Sequence, residues 1–254
     1  MIRFASLGSG SQGNALVVEV KRTKVMLDCG FGINETVARL SRLGLAPEQL
    51  DGVVVTHEHT DHFGGVVKFA SRFNLPVWLT FGTASEFQGE LAPQTHYIDS
   101  NQCFSIGDIV LQPYPVPHDA REPAQFVFGD GARRLGVLTD TGTSTPHIEA
   151  ILSGCEALVL ECNHDLEMLM NGSYPPPLKQ RIAGRFGHLS NHASARLLAS
   201  LDCSRLQHLI AAHLSRSNNT PEMARTALAD VMNCKPDWIG VADQEEGFAW
   251  REIA

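Results

Sequence analysis

No stretch of this 254-residue chain supplies the roughly 18 consecutive apolar residues that a membrane-crossing helix needs. Met1-Ile2-Arg3-Phe4 runs straight into a strand-like segment, without the charged-then-apolar pattern of a secretory leader. The six cysteines, at 29, 103, 155, 162, 203 and 234, contain no C-x-x-C pair, and Cys29, Cys155 and Cys162 lie in apolar contexts. Reduced thiols in a cytoplasmic protein are expected, rather than a disulfide framework. Basic residues are also scarce: 20 Lys and Arg face 28 Asp and Glu, a net charge of −8. That balance counts against sequence-blind binding along a nucleic-acid backbone, which takes clustered cations. It leaves a nuclease open, because bound divalent ions and a local basic patch can supply the missing charge. There is no internal repeat and no low-complexity linker. A chain of this length with 43% hydrophobic residues can bury one large core, so a single α/β domain over 1–254 is expected.

What the sequence does have is concentrated in Thr56-His57-Glu58-His59-Thr60-Asp61-His62-Phe63-Gly64-Gly65. The run before it, Val53-Val54-Val55, is short, β-branched and preceded by Asp51-Gly52, which predicts a buried strand over 52–56. Four potential metal ligands therefore follow a strand end, on a turn, where sites are commonly carried. Imidazoles with a carboxylate suit Zn²⁺, and also Mn²⁺ or Fe²⁺. His57 and His59 alternate about one residue and can converge on one ion, while Asp61 and His62 can face a second. Gly64 and Gly65 would let the backbone pass close to whatever binds there.

The remaining chain alternates strands and helices. Strands are expected at 2–7, 15–20 and 24–28. Gly8-Ser9-Gly10-Ser11-Gln12-Gly13 contains G-x-G-x-x-G, but a strand rather than a helix follows it, so it reads as a hairpin turn and not a dinucleotide fingerprint. Asn34 is expected to cap a helix running to about Leu43 and ended by Gly44. Further strands are predicted at 77–81, 104–112, 125–129, 134–139, 157–161 and 207–212, with edge strands near 238–242 and 247–252. Helices are predicted from near Asp61, from His147 to Leu152, on both sides of Gly187–Asn191, and after Thr220-Pro221-Glu222. Two halves, about 1–140 and 150–254, are expected. Potential ligands recur at strand ends, at 57–62, 118, 140, 161–165 and 213, which points to one shared edge.

H-x-H-x-D-H after a hydrophobic strand resembles the signature of the metallo-β-lactamase superfamily. The resemblance implies an α/β fold of four layers, αββα, with two mixed sheets covered by helices on both sides. It implies two divalent ions (Zn or Mn, or Fe), one held by His57, His59 and His118, the other by Asp61, His62 and His213, with Asp140 bridging. Lactamases of this fold commonly place a cysteine in the second site, where Asp61 stands here, and flavodiiron-type oxidoreductases resemble H-x-E-x-D-H, where position 59 here is His. Hydrolysis is favoured over redox chemistry. His188 in G-H-L-S-N resembles the catalytic histidine of tRNA 3′-processing endonucleases, with Glu161 in the place of its supporting acid; an imidazole so supported can protonate a leaving alkoxide. His164, Ser190, Asn191 and Arg216 are candidates for substrate contact, and Lys179, Arg181 and Arg185 for holding flanking phosphates.

Leu7–Asn14, Glu161–Asp165, Tyr174-Pro175 with Leu178–Ile182, Gly187–Asn191 and His213–Asn219 together look like the bacterial YycJ/WalJ group, related to ribonuclease J without its inserted second domain. The resemblance implies a cytoplasmic nuclease, a 5′-to-3′ exonuclease on double-stranded DNA with a role in DNA repair, and Asp61, His188 and Glu161 as its catalytic residues. The rival readings are a small-molecule hydrolase, either a cyclic-nucleotide phosphodiesterase or a thioesterase or lactonase of the glyoxalase II type, and a non-enzymatic metal-containing regulatory protein.

Overall fold

The apolar runs at the start of the chain pair with one another as an antiparallel meander: β1 (Ile2–Gly8), β2 (Ala15–Val20) and β3 (Thr23–Leu27). The Gly8–Asn14 segment is the hairpin connection expected, held by the Asn14 side chain, whose Oδ1 accepts from Gly10 N at 2.8 Å. From β3 the pairing turns parallel, through β4 (Gly52–Val54), β5 (Val77–Thr80) and β6 (Thr95–Ile98). The crossovers carry α1 (Ile33–Arg42), α2 (Thr60–Phe63), α3 (Val66–Phe73) and α4 (Phe81–Glu86). The second sheet repeats this plan. Its antiparallel part is β7 (Phe104–Ile106), β8 (Ile109–Pro115), β9 (Ala124–Gly129) and β10 (Arg134–Leu138), and its parallel part adds β11 (Ala157–Glu161), β12 (His208–Ala212) and β13 (Gly240–Val241). Between these lie α5 (Pro146–Leu152), α6 (Leu166–Asn171), α7 (Pro176–Ile182), α8 (Asn191–Ser200) and α9 (Pro221–Met232). The last strand, β14 (Phe248–Ile253), crosses back and pairs antiparallel with β1. The computed structural model describes all 254 residues.

The period of two along each strand sorts side chains between layers. On β2, Val18 points into the core between the sheets while Val17 points out toward α1 and α3. On β9, Phe126 and Phe128 face inward and Val127 outward, and on β11 Val159 faces inward while Leu158 and Leu160 meet the helices. Outer cores close over both sheets, around Leu40 and Phe69 on one side and Leu152, Leu198 and Leu228 on the other. The result is helix, sheet, sheet, helix: the four-layer αββα sandwich that was expected.

Several expectations need correction. The division of the chain does not fall near 140–150. The second sheet begins after Ile98, with β7 at Phe104, and β14 returns to the first sheet, so the sheets are not two consecutive halves. The strand predicted over 104–112 is a tight hairpin of β7 and β8, broken at Gly107, which takes the left-handed conformation (φ 53°). Asn34 does not cap α1, since that helix begins at Ile33 with Gly32 as its N-cap. The strand at 77–81 stops at Thr80, whose hydroxyl caps α4 by accepting from Thr83 N. Neither β6 nor α6 was anticipated.

Candidate metal centre

The parallel strands β3, β4, β10, β11 and β12 end at one edge of the sandwich. Three of the residues just beyond them, Asp28, Asp140 and His213, turn the chain through the left-handed region, with φ of 62°, 52° and 56°. This conformation is uncommon for side chains other than glycine, and Asp and His are among those that tolerate it. The turn after β4 is braced by the loops beside it: Asn14 N donates to Asp61 O at 2.7 Å and Cys29 N to His62 O at 2.8 Å. Gly65 is required by the same packing. A Cβ there would stand 1.9 Å from Phe31 O, so the close approach is to backbone, and not to a bound group as expected.

The strand ends bring the predicted ligands together. His57, His59 and His118 place ligand atoms within 4.8 Å of one another, as do Asp61, His62 and His213, and as do His57, His62 and Asp140. Asp140 lies between the sets: its carboxylate is 3.1 Å from His62 Nε2, 3.6 Å from His213 Nε2 and 3.9 Å from His118 Nε2. His118 Nε2 and His59 Nδ1 face each other at 3.2 Å. Their companions are turned outward onto fixed partners: His57 Nδ1 meets Thr56 Oγ1 at 2.9 Å, His62 Nδ1 meets Asp28 Oδ2 at 2.8 Å, and His118 Nδ1 meets Gly187 O at 3.2 Å. Such outward bonds orient imidazoles whose inner nitrogens bind a metal.

The electrostatics fit a cation. His57 Nε2 is wholly buried and has no hydrogen-bond partner, a costly arrangement for a nitrogen that holds nothing. Burial, reinforced by His62, holds the His57 imidazole well below its usual range, and burial likewise lowers His118. Neutral imidazoles are the ligating form. Burial also works to lower His62 and His213, yet the carboxylates around them win. Asp140, Asp28 and Asp61 raise His62 well above its usual range, and Asp140 with hydrogen bonds to Asp61 and Glu161 raises His213 to about 10. The cluster is thus short of positive charge, as a site for divalent cations should be.

Glu161, fully buried at the end of β11, serves two imidazoles at once. Its Oε1 lies 2.8 Å from His188 Nδ1 and 3.3 Å from His213 Nδ1, while Oε2 accepts from Thr141 N at 3.1 Å and Leu189 N at 3.0 Å. Burial would raise this carboxyl, but His188 and the hydrogen bonds from both histidines outweigh it and bring it down to about 2. His188 is partly exposed and lines a cleft of about 330 Å³ together with His59, Asp61, Asp140, His213 and Arg181. Arg181 is held at the rim by Asp119, with Nε 2.6 Å from Oδ2.

Other candidates sit elsewhere. Ser190 caps α8, its hydroxyl accepting from Ala193 N, and Asn191 is buried in a reciprocal amide pair with Asn219. Arg216 pairs with Glu245. His164 is buried, its Nδ1 3.3 Å from Asn163 Oδ1, and burial lowers it to about 4. These four have structural partners and do not line the cleft. Sequence reading missed Asn14, Asp28 and Thr56. Asn14 Nδ2 reaches 3.1 Å from His62 Nε2, and Asp28 accepts from Thr56 N and Oγ1 as well as facing His62. The available signal was that Asp28 ends a strand, as Asp140 does.

Residues 23–213 match the family model of the beta-lactamase superfamily domain. Over 245 residues the chain is 34% identical to the exodeoxyribonuclease YycJ of Bacillus anthracis, covering 95% of this chain and 93% of that protein. The chain belongs to the metallo-β-lactamase superfamily. Within it, the YycJ/WalJ resemblance holds: the exodeoxyribonuclease WalJ of Streptococcus pneumoniae is 31% identical, over 94% of this chain and 91% of its own. Among solved structures, the metallo-β-lactamase fold protein YhfI from Bacillus subtilis has a TM-score of 0.75 at 17% identity, covering 99% of this chain and 100% of that one. The short form of human tRNase Z has a TM-score of 0.67 at 15% identity, covering 99% of each. These two show the shared fold. The chain is a hydrolase of the metallo-β-lactamase fold, with His and Asp clusters suited to divalent metal. No helix is long and apolar enough to cross a membrane.

Proposed function

We propose that the protein is a dinuclear metal-dependent phosphodiesterase working in the cytoplasm as a 5′-to-3′ exonuclease on double-stranded DNA. The observation that carries this reading is the convergence on one cleft of two ligand sets sharing Asp140 and of a further histidine, His188, held by a buried carboxylate. The names of the YycJ and WalJ relatives support the choice of DNA.

His57, His59 and His118 would hold one ion and Asp61, His62 and His213 the other, with Asp140 serving both; Zn, Mn or Fe fits these donors. Bound there, such ions supply positive charge for the phosphoryl oxygens and ease ionisation of the attacking water. The protein's own groups do the rest. Asp61, partly exposed in the cleft, orients that water. Glu161 holds His188 through Nδ1, which leaves Nε2 to deliver a proton to the departing oxygen. Arg181, anchored by Asp119, stands where a neighbouring phosphate would pass.

End-labelled duplex DNA, digested by Mn²⁺- or Zn²⁺-loaded protein beside Asp61→Ala, tests the proposal. Mononucleotides released from the 5′ end and lost in the variant are the expected result. The cleft volume of about 330 Å³ and the acidic chain also suit a small phosphodiester. Cleavage of bis(p-nitrophenyl) phosphate and a cyclic nucleotide, with DNA left intact, would establish that alternative. Inertness toward all three, with two metals bound per chain, would favour the regulatory reading.

A further inference from the structure

The loops that carry His118 and His188 also line an open groove of about 520 Å³, with Pro117, Thr145, His147, Arg185 and Phe186 among its walls. Pro117 directly precedes His118, and Phe186 stands two residues before His188, so the groove shares its flanks with the site. Phe186 is 52% exposed. A solvent-facing phenylalanine is by itself ordinary; this one is held on an unusually well-fixed loop. Phe186 O accepts from Asp119 N at 3.0 Å, Gly187 O faces His118 Nδ1 at 3.2 Å, and His188 N donates to Ile182 O at 2.8 Å. Gly142, just past Asp140, backs onto the same loop so closely that a Cβ would lie 2.3 Å from Arg185 O. The backbone that carries the ring is therefore fixed relative to His118, Asp140 and His188, while the side chain stays half exposed.

The groove does not share the acidic balance of the chain. The protein carries a net −8, yet no carboxylate lines this groove. The Arg185 guanidinium lies 5.6 Å from the Phe186 ring centroid, and Arg181 stands at the adjoining rim. An exposed aromatic ring beside a guanidinium, on the loop that carries His188, matches a base stacked on the ring with a backbone phosphate beside the cation.

Resting on the nuclease reading, we infer that Phe186 is a stacking platform for a nucleobase next to the scissile phosphodiester, with Arg185 beside it. A base can reach the ring only after leaving the duplex, so frayed ends should be cut in preference to fully paired ones.

The test uses the metal-loaded protein and duplexes that carry, at either nucleotide flanking the first cleaved bond, a normal base or an abasic tetrahydrofuran unit. Stacking on one aromatic side chain predicts that loss of the base raises KM about 5- to 100-fold for the wild type. Phe186→Ala should show a loss of the same size on intact DNA and no further loss on the abasic duplex, while Phe186→Trp should keep the wild-type response. Metal content and circular dichroism establish that the variants fold. Equal KM for wild type and Phe186→Ala on intact DNA, or an unchanged abasic penalty in Phe186→Ala, overturns the inference while leaving the nuclease intact. A wild-type protein that cuts no DNA overturns the nuclease reading and the platform with it.

Discussion

Glu161 is the residue whose loss should be most informative, because one carboxylate orients both His213, a proposed ligand, and His188, the proposed proton donor. Glu161→Gln should lower kcat and also weaken binding of one metal, by roughly 10- to 100-fold as for other partners of metal-bound histidines. His188→Ala should lower kcat by about 10²- to 10⁴-fold with both metals retained. Metal analysis beside kcat separates the two, and a His188→Ala protein that loses an ion would make His188 a ligand. The cysteines make a second residue-scale prediction. Burial pushes the Cys29 and Cys162 thiols up to about 12 and Cys155 to about 11, whereas Cys103 is exposed. Native protein at pH 8 should therefore be alkylated first at Cys103, with those three untouched until denaturant is added; mass spectrometry reads the order. At this scale the clustering of the candidate ligands was legible because imidazoles and carboxylates recur at the ends of successive strands. Asp28 and Asn14 were not, since their roles arise only when loops distant in sequence meet at His62.

At the scale of elements, sequence reading succeeded where pattern and cap agreed. Thr220-Pro221 starts α9, with the Thr220 hydroxyl accepting from Met223 N at 3.2 Å. It failed where a turn hid inside an apolar run, as at Gly107, because Ile106 and Ile109 on either side preserve a strand-like composition. Ile33 and Gly32 misled in the opposite way, since glycine at an N-cap leaves no side-chain signature. The break between α2 and α3 is sensitive to mutation. Gly65→Ala would drive a methyl into Phe31 O, and should cost more than about 2 kcal/mol while moving the turn that carries Asp61 and His62. Urea denaturation and metal stoichiometry should both report the change. Full stability with both metals retained would mean that the 29–31 loop can yield.

For the whole molecule, the charge shortfall at the strand ends predicts that metal and fold are coupled. Ions present at about 100 times their dissociation constant should add about 2.7 kcal/mol of stability for each independent site. Calorimetry with and without chelator should show the loaded protein melting several degrees higher; unchanged melting would mean that the ligands neither bind nor matter to the fold. The four-layer plan was legible from alternating strands and helices together with the family signature. The allocation of strands to sheets was not, because local pattern carries no information about which edge a distant strand will join.

That allocation has a consequence for synthesis. β1 waits for β14, made some 240 residues later, before its outer edge is paired. Gln244, just upstream of β14, also ties down the 10–13 loop, accepting from Gln12 N and donating to Gly13 O. A nascent chain can complete β7 to β12 while the first sheet still offers an open template to other chains. Stalled or clipped products ending before Phe248 should accumulate as aggregates through the β1 edge, even with every candidate metal ligand already made.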